Sequence, residues 1–533
     1  MTDRERTGAG RKYDLVVIGG GMGGLATAGL AERLGLRTAL LEAHTKLGGC
    51  AGHFGRGPFH FDAGATALMG LRPGEPVGDL LDVLGVAFSA EPTPAYRVHL
   101  PDRQIDIVAD SDRFVDAAIA TFPASEGGSP AAIRRFWRIQ EAVGRALFHA
   151  AGSVPRLPAR SIADLIHDLR ILGVGGLLAA STSVVTVRDV LRLLGLDRNR
   201  AFRSMVAMLL QDTAQAGPEV VPFANASACL QAYRDGMSRP RGGMRAMVEG
   251  IGERFAAMGG DLRTATIADR VEPDPAGGFV VVTRRRDRLR TREVALNLPI
   301  DLAARLIARP ITGKLDRAER KSRPAWSAVT AYLAIDRAAL SDDGPLFHQV
   351  LRSYDAPMHD GNNVLVSLSP VADAGYGPSD VRVATLSTHT RPADWEGLDN
   401  PAHRARKAEF EARMLGALER AIPGASSALL HAEYATPRSF RRYTRRTAGA
   451  VGGAPVSRIN SNFLAIGPDV FGPGLWVVGD SVFPGQGTMA TVLSAIRVVE
   501  RIAGLGWDSV RNHAGPRDER RPLLLAASAD RDS

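Results

Sequence analysis

The chain has 533 residues, more than one ordinary hydrophobic core accommodates, so two or three domains are expected. At 45% hydrophobic and 23% charged it is neither disordered nor fibrous. The net charge of +9 comes with no aromatic or groove-reading module, which argues against nucleic acid as a partner. The two cysteines, Cys50 and Cys229, exclude a disulfide framework and fit a reducing cytoplasm.

Residues 1–12, "MTDRERTGAGRK", are charged and lack an apolar stretch, so they read as a loose tail and not as a signal peptide. "YDLVVIGGG" then gives an apolar, β-branched run of the kind buried on both faces of a parallel sheet. It ends at Gly19-x-Gly21-x-x-Gly24, and "LATAGLAERLG" follows with helical spacing. The first glycine permits a tight turn, the second lets backbone approach a pyrophosphate, and the third lets helix and strand pack closely. A second strand, "RTALLEA", ends in Glu42, whose carboxylate can accept both hydroxyls of a ribose. "HTKLGGCAG" follows, with Gly48 and Gly49 resembling the extra glycine pair of two-dinucleotide-binding flavoproteins.

Residues 111–235 read mainly as helices with proline-rich joints. Within them the uncharged run "ILGVGGLLAASTSVVTV", residues 171–187, carries too many glycines and hydroxyls for a membrane span. It suits a surface-lying, tunnel-lining or plain core segment. The basic runs "RRRDRLRTR" (residues 284–292) and "RRYTRR" (residues 441–446) suit either anionic lipid headgroups or a solvated face. Between them, "WSAVTAYLAID", "NNVLVSLSP" and "VRVATLSTHT" alternate as strands with one face toward a core and one toward a cavity.

Near the carboxyl end, "GLWVVGDSVFPGQGTMA" repeats the logic of the first turn: a buried strand, Gly479-Asp480 at its end, then glycines opening a helix. Asp480 suits a polyol hydroxyl better than a phosphate, since two anions repel. No second GxGxxG follows a strand, so one dinucleotide and no separate NAD(P)H domain are expected. Residues 508–533 read as a flexible, arginine-rich tail.

These stretches, with "FHFDAGATALMG" and "RPRGGMRAMVEGIGERFAAMGGDLRT", resemble the phytoene desaturase group of FAD-dependent oxidoreductases, which includes carotenoid isomerases and retinol saturases. The resemblance implies an α/β chain: a Rossmann-like FAD-binding domain of the two-dinucleotide-binding type with a mixed sheet plus helical substrate domain. Residues 13–110, 236–300 and 436–507 would build the FAD domain. Residues 111–235 would form a helical, substrate- or membrane-facing insertion, and 301–435 the substrate-binding sheet region. The implied FAD contacts are Gly19, Gly21, Gly24, Glu42, Lys46, Gly48, Gly49, Gly479, Asp480, Gly487, Thr488 and Met489, the last three beside the isoalloxazine. Lys46 and Cys50 stand where many relatives carry arginine.

The implied chemistry is desaturation of a carotenoid or related apolar isoprenoid by hydride transfer to flavin N5, with oxygen or a membrane quinone as acceptor. Isomerisation or retinol-type saturation on the same fold is the alternative; a prenyl-binding escort without catalysis and an amine oxidase are more distant ones. The expected place is cytoplasmic, peripheral to the inner face of the cell membrane, with no metal. No catalytic group is singled out. His53 and His60 flank the flavin segment as surface or second-layer histidines, and Cys50 reads as a small packing residue and not a covalent flavin link. Arg438 and Tyr443 read as chamber-lining or structural.

Overall fold

A computed structural model of the protein describes residues 12–513. The expected tails at residues 1–11 and 514–533 lie outside the described residues.

The first sheet has seven strands. Its parallel part is β1 (Lys12–Ile18), β2 (Thr38–Leu41), β5 (Asp261–Arg263), β8 (Arg288–Leu296) and β14 (Leu475–Val477); β6 (Ala268–Pro273) and β7 (Phe279–Thr283) extend it as an antiparallel hairpin. Strand β8 is long enough to pair with β7 along its first half and with β14 along its second, while β1 takes its other edge from Arg290 to Leu296. The apolar run of β1 is read by both faces: Leu15 and Val17 join one buried cluster, Val16 and Ile18 the other. Helix α1 (Met22–Arg33) leaves the end of β1 and is buried from Met22 through Ala31. Its glycines and alanines let it fit between the sheet, α6 (Gly243–Ala257) and α8 (Thr488–Ala503).

The second sheet also has seven strands, in the order β13-β9-β12-β11-β10-β3-β4. These are β3 (Tyr96–His99), β4 (Gln104–Ile107), β9 (Ser327–Asp336), β10 (Phe347–Leu351), β11 (Asn363–Leu368), β12 (Val381–Thr390) and β13 (Leu429–Ala435). The strand period of two sorts β9 between environments. Val329, Ala331, Leu333 and Ile335 pack on Phe410, Met414 and Leu418 of α7 (Asn400–Ala421), while Ala328, Thr330 and Tyr332 face a cavity. The cavity's far wall is helical: α2 (Pro130–Gly152), α3 (Ile162–Ser181), α4 (Arg200–Ala214) and α5 (Phe223–Asp235).

The structure departs from the expected segment boundaries in three places. Lys12, assigned to the tail, opens β1. Strands β3 and β4, assigned to the dinucleotide domain, complete the second sheet, because Tyr96, Val98, Ile105 and Ile107 bury against the helical layer. At the other end, α9 (Trp507–Arg511) continues past residue 507 and buries Val510 with Trp507, so residues 508–511 are not loose.

Candidate functional site

One continuous cavity of about 1380 Å3 runs between the two sheets. A site for a single drug-sized ligand occupies roughly 300–1,000 Å3, so there is room for a large cofactor and an apolar chain together. Eleven of the twelve residues expected to touch a cofactor line it: Gly19, Gly21, Glu42, Lys46, Gly48, Gly49, Gly479, Asp480, Gly487, Thr488 and Met489. Gly24 does not. Its backbone lies so close to the Gly19 carbonyl that any Cβ would overlap that oxygen, so its place is packing the helix onto the turn.

The two glycine turns converge. Gly19 has φ +102, and a Cβ there would meet the Asn297 carbonyl at 2.8 Å. A Cβ on Gly23 would stand 3.2 Å from the Gly479 nitrogen. The Gly48 N–H donates to the Gly20 carbonyl at 2.8 Å, which brings the third glycine pair onto the first turn. Neither helix that opens here has a side-chain cap: α1 begins after Gly21 and α8 after Gly487, both without one. Uncapped N-termini leave backbone N–H donors and the positive end of each helix dipole facing the cavity.

Glu42 is held by its own chain: Oε2 accepts from the Gly20 N–H at 2.6 Å and Oε1 from the His44 N–H at 2.7 Å. Each carboxylate oxygen keeps a lone pair for a further donor. Lys46 is exposed at the cavity edge. Asp480 forms a two-pronged pair with Arg446, whose Nη2 lies 2.6 and 2.5 Å from its two oxygens. The repulsion argued from the sequence against a phosphate near Asp480 therefore fails, because Arg446 neutralises the carboxylate. Burial raises the Cys50 thiol pKa, and Arg446 nearby pulls part of that rise back. A guanidinium thus stands beside position 50 although the local sequence has none. This pairing also removes Arg446 from any lipid-facing role for residues 441–446; Arg438, Arg442 and Arg445 line the cavity.

Three residues of the site are absent from the sequence reading. Asn297, at the carboxyl end of β8, donates through Nδ2 to the Gly19 carbonyl at 3.2 Å and crowds Gly21, Gly23 and Gly479. A polar residue ending the buried run "EVAL" was its signal, since ligands bind off the carboxyl ends of such strands. Arg446 had no local signal. Asp212, on α4, faces the chamber.

Of the histidines considered, His53 lines the cavity 3.0 Å from Glu249, and burial followed by Lys46 and Arg245 lowers its pKa to about 4. It is a neutral ring at pH 7. His60 is partly buried with its pKa also lowered, chiefly by burial. The raised pKa of Cys50 keeps it a thiol.

The segment at 171–187 falls on α3 and the turn after it. Helix α3 kinks at Gly173, whose φ of 55 lies in the left-handed region. Leu172 lines the cavity, while Ile162, Val174 and Leu178 are 79%, 78% and 67% exposed, with Leu165, Ile166, Leu169 and Leu177 also exposed. The segment is both surface-lying and tunnel-lining. No helix among the described residues is long and apolar enough to cross a membrane.

Comparison with known proteins agrees with this geometry. A family described as "NAD(P)-binding Rossmann-like domain" matches residues 17–84. The chloroplastic prolycopene isomerase of Arabidopsis thaliana is 25% identical over 532 residues, covering 94% of this chain and 84% of that protein. The all-trans-retinol 13,14-reductase of Rattus norvegicus is 46% identical over 63 residues, 12% of this chain and 10% of that protein. Among solved structures, putrescine oxidase bound to putrescine superposes with a TM-score of 0.62 over 93% of this chain and 99% of that one, at 15% identity, which establishes the fold alone. The Rossmann-like α/β class expected from the sequence is borne out, and so is the resemblance to a group holding carotenoid isomerases and retinol saturases. The chain is thus similar to the prolycopene isomerases along nearly its whole length, and to the retinol 13,14-reductases over a short segment.

Proposed function

We propose that the protein is an FAD-dependent oxidoreductase acting on C–C bonds of a carotenoid or related apolar isoprenoid. The observation that carries this reading is the convergence of both glycine-rich turns on one cavity that continues into a chamber between the second sheet and the helices. The residues fit FAD. A Cβ at Gly19 would strike the Asn297 carbonyl and one at Gly21 or Gly23 would press on the Asn297 side chain. Two uncapped helix N-termini offer N–H donors, and Glu42, held at the cavity wall by two backbone N–H groups, keeps lone pairs that ribose hydroxyls could use. Bound there, the flavin would supply hydride chemistry; the chain supplies position and dryness. Met69, Leu147, Phe148, Phe347 and Leu365 give the chamber apolar walls suited to a long polyene.

Desaturation is the first reading, with the reduced cofactor reoxidised by oxygen or a quinone. Isomerisation is the second, and the similarity to prolycopene isomerase along 94% of the chain favours it. The exposed apolar face of α3, continuous through Leu172 with the cavity and carrying the exposed Arg170, supports peripheral docking on a lipid surface from which such a substrate would enter.

The test has two parts. Cofactor released by denaturing the purified protein should be FAD, and co-expression with pathways making cis and all-trans polyenes should change the polyene profile. A colourless protein, or a yellow one that alters no polyene and oxidises a primary amine, would overturn the proposal.

A further inference from the structure

Deep in the chamber, Asp212 stands near the end of α4 without a cationic partner in hydrogen-bond contact. Its Oδ2 accepts from Gln349 Nε2 at 2.5 Å, and His389 Nδ1 lies 3.7 Å from Oδ1. Gln349 is itself held, its Oε1 accepting from Tyr96 at 2.8 Å and its amide nitrogen, with two hydrogens to share, also 3.0 Å from the Met208 carbonyl and 3.1 Å from Asn363 Oδ1. The ionisable groups of the surrounding elements are Cys229 and Tyr233 on α5, Tyr96 on β3 and His389 on β12. None brings a positive charge at neutral pH, because burial lowers the His389 pKa to about 4. Burial alone pushes the Asp212 carboxyl up to about 7.

The same corner of the cavity is tied to the second glycine turn. Gln486, the residue before Gly487, donates to the carbonyl of Thr213 at 2.9 Å. The backbone next to Asp212 is therefore tied to the loop on which the reactive edge of the proposed cofactor would rest, while Gln349 holds the Asp212 side chain. Of the other carboxylates on this side, Asp164 accepts the Arg160 N–H and lies outside the cavity lining, while Asp168, which lines the cavity from α3, accepts the Arg156 N–H through Oδ1 alone.

We propose that Asp212 is the proton acceptor of the chamber, resting on the reading of the protein as a polyene-dehydrogenating flavoprotein. Removing two hydrogens from neighbouring carbons takes one as hydride, to FAD, and one as a proton. The electron pair of the second C–H bond becomes the new π bond, and the Asp212 carboxylate becomes a carboxylic acid. A group poised between its two protonation states near neutrality suits this work. The reduced flavin is reoxidised by oxygen or a quinone, and the acid returns its proton to water when product leaves.

The test uses the full-length holoprotein with 13C-labelled aspartate and the variants D212N and D212E. An infrared titration should show a carboxyl changing state close to neutrality in the wild type and missing from D212N, with equal flavin content in both. The carboxamide oxygen that D212N introduces can still accept from Gln349, so folding is preserved. On a polyene that the wild type converts, D212N should lose about 100-fold or more in kcat with KM little changed, and D212E should recover part of it. The wild-type rate should rise with pH through the same titration. Aspartates that all titrate in the ordinary carboxylate range, or wild-type turnover in D212N, overturn the inference. A wild-type holoprotein that converts no polyene overturns the underlying reading instead.

Discussion

Arg446 and Asp480 join through both carboxylate oxygens across 34 residues of chain, at the point where the second glycine turn meets the cavity. The guanidinium also donates through Nη1 to the Gly452 carbonyl at 2.7 Å, which leaves it little freedom. Arg446→Met would strand a mostly buried carboxylate, and breaking such a pair costs about 3–5 kcal/mol. The variant should melt earlier and release its flavin. Asp480→Asn with Arg446→Met should recover part of the loss, since no charge is then left unpaired. Thermal unfolding and flavin absorbance after gel filtration measure both.

Gly24→Ala should fail more severely than its size suggests. Its new methyl group would overlap the Gly19 carbonyl and force α1 away from the turn. The expected result is a protein without cofactor and of low solubility. Gly175→Ala is the control: nothing lies within 4 Å of a Cβ there, and a helical glycine replaced by alanine gains about 0.5–1 kcal/mol. Its cofactor content should equal that of the wild type.

Lipid docking should depend on α3. Val174→Asp with Leu178→Asp, both strongly exposed, should leave stability unchanged and abolish flotation with anionic vesicles. Binding that survives high salt in the wild type would mark apolar insertion as dominant, whereas loss in salt would mark the arginines.

Acid should weaken the second sheet through His99 and His348, whose rings meet at 3.1 Å. Burial first, then Arg97 for His99 and His99 for His348, holds both below the ordinary histidine range. Unfolded, each ring takes a proton near pH ~6.5. Below that point the unfolded chain binds more protons at these two rings than the folded one, so their contribution to stability falls as pH falls toward the folded values of about 4 and 3, and is constant above it. The expected slope is about 1.4 kcal/mol per ring per pH unit. The difference in urea stability between the wild type and the double variant His99→Asn, His348→Asn, measured against pH, should show it, because Asp212 and Glu500, with raised folded values, slope the opposite way in both proteins.

Much of the dinucleotide half was legible because its signals are local. A β-branched run, three glycines and an acidic strand end lie within thirty residues, and each has one physical use. The alternation in β9 likewise foretold a sheet with a core face and a cavity face. What was not legible required distance. Arg446 sat in a run that read as a uniform basic patch, and only folding singled it out as the partner of Asp480. Asp212 occupies an amphipathic helix in which one acidic residue carries no pattern; its meaning comes from Gln349, 137 positions away. Strands β3 and β4 were misassigned because short alternating runs do not announce which sheet they join.

The strand order also bears on synthesis. The chain lays down β1 and β2 in one sheet, β3 and β4 in the other, then returns for β5 to β8, crosses again for β9 to β13, and comes back for β14. A nascent chain on the ribosome therefore holds an open edge on β8 until Leu475–Val477 has emerged. Pairings of such long separation form slowly. A message truncated before β14 would carry every strand of the second sheet but leave the first sheet without β14 and the chamber without the second glycine turn, so the cavity would stay open on that side.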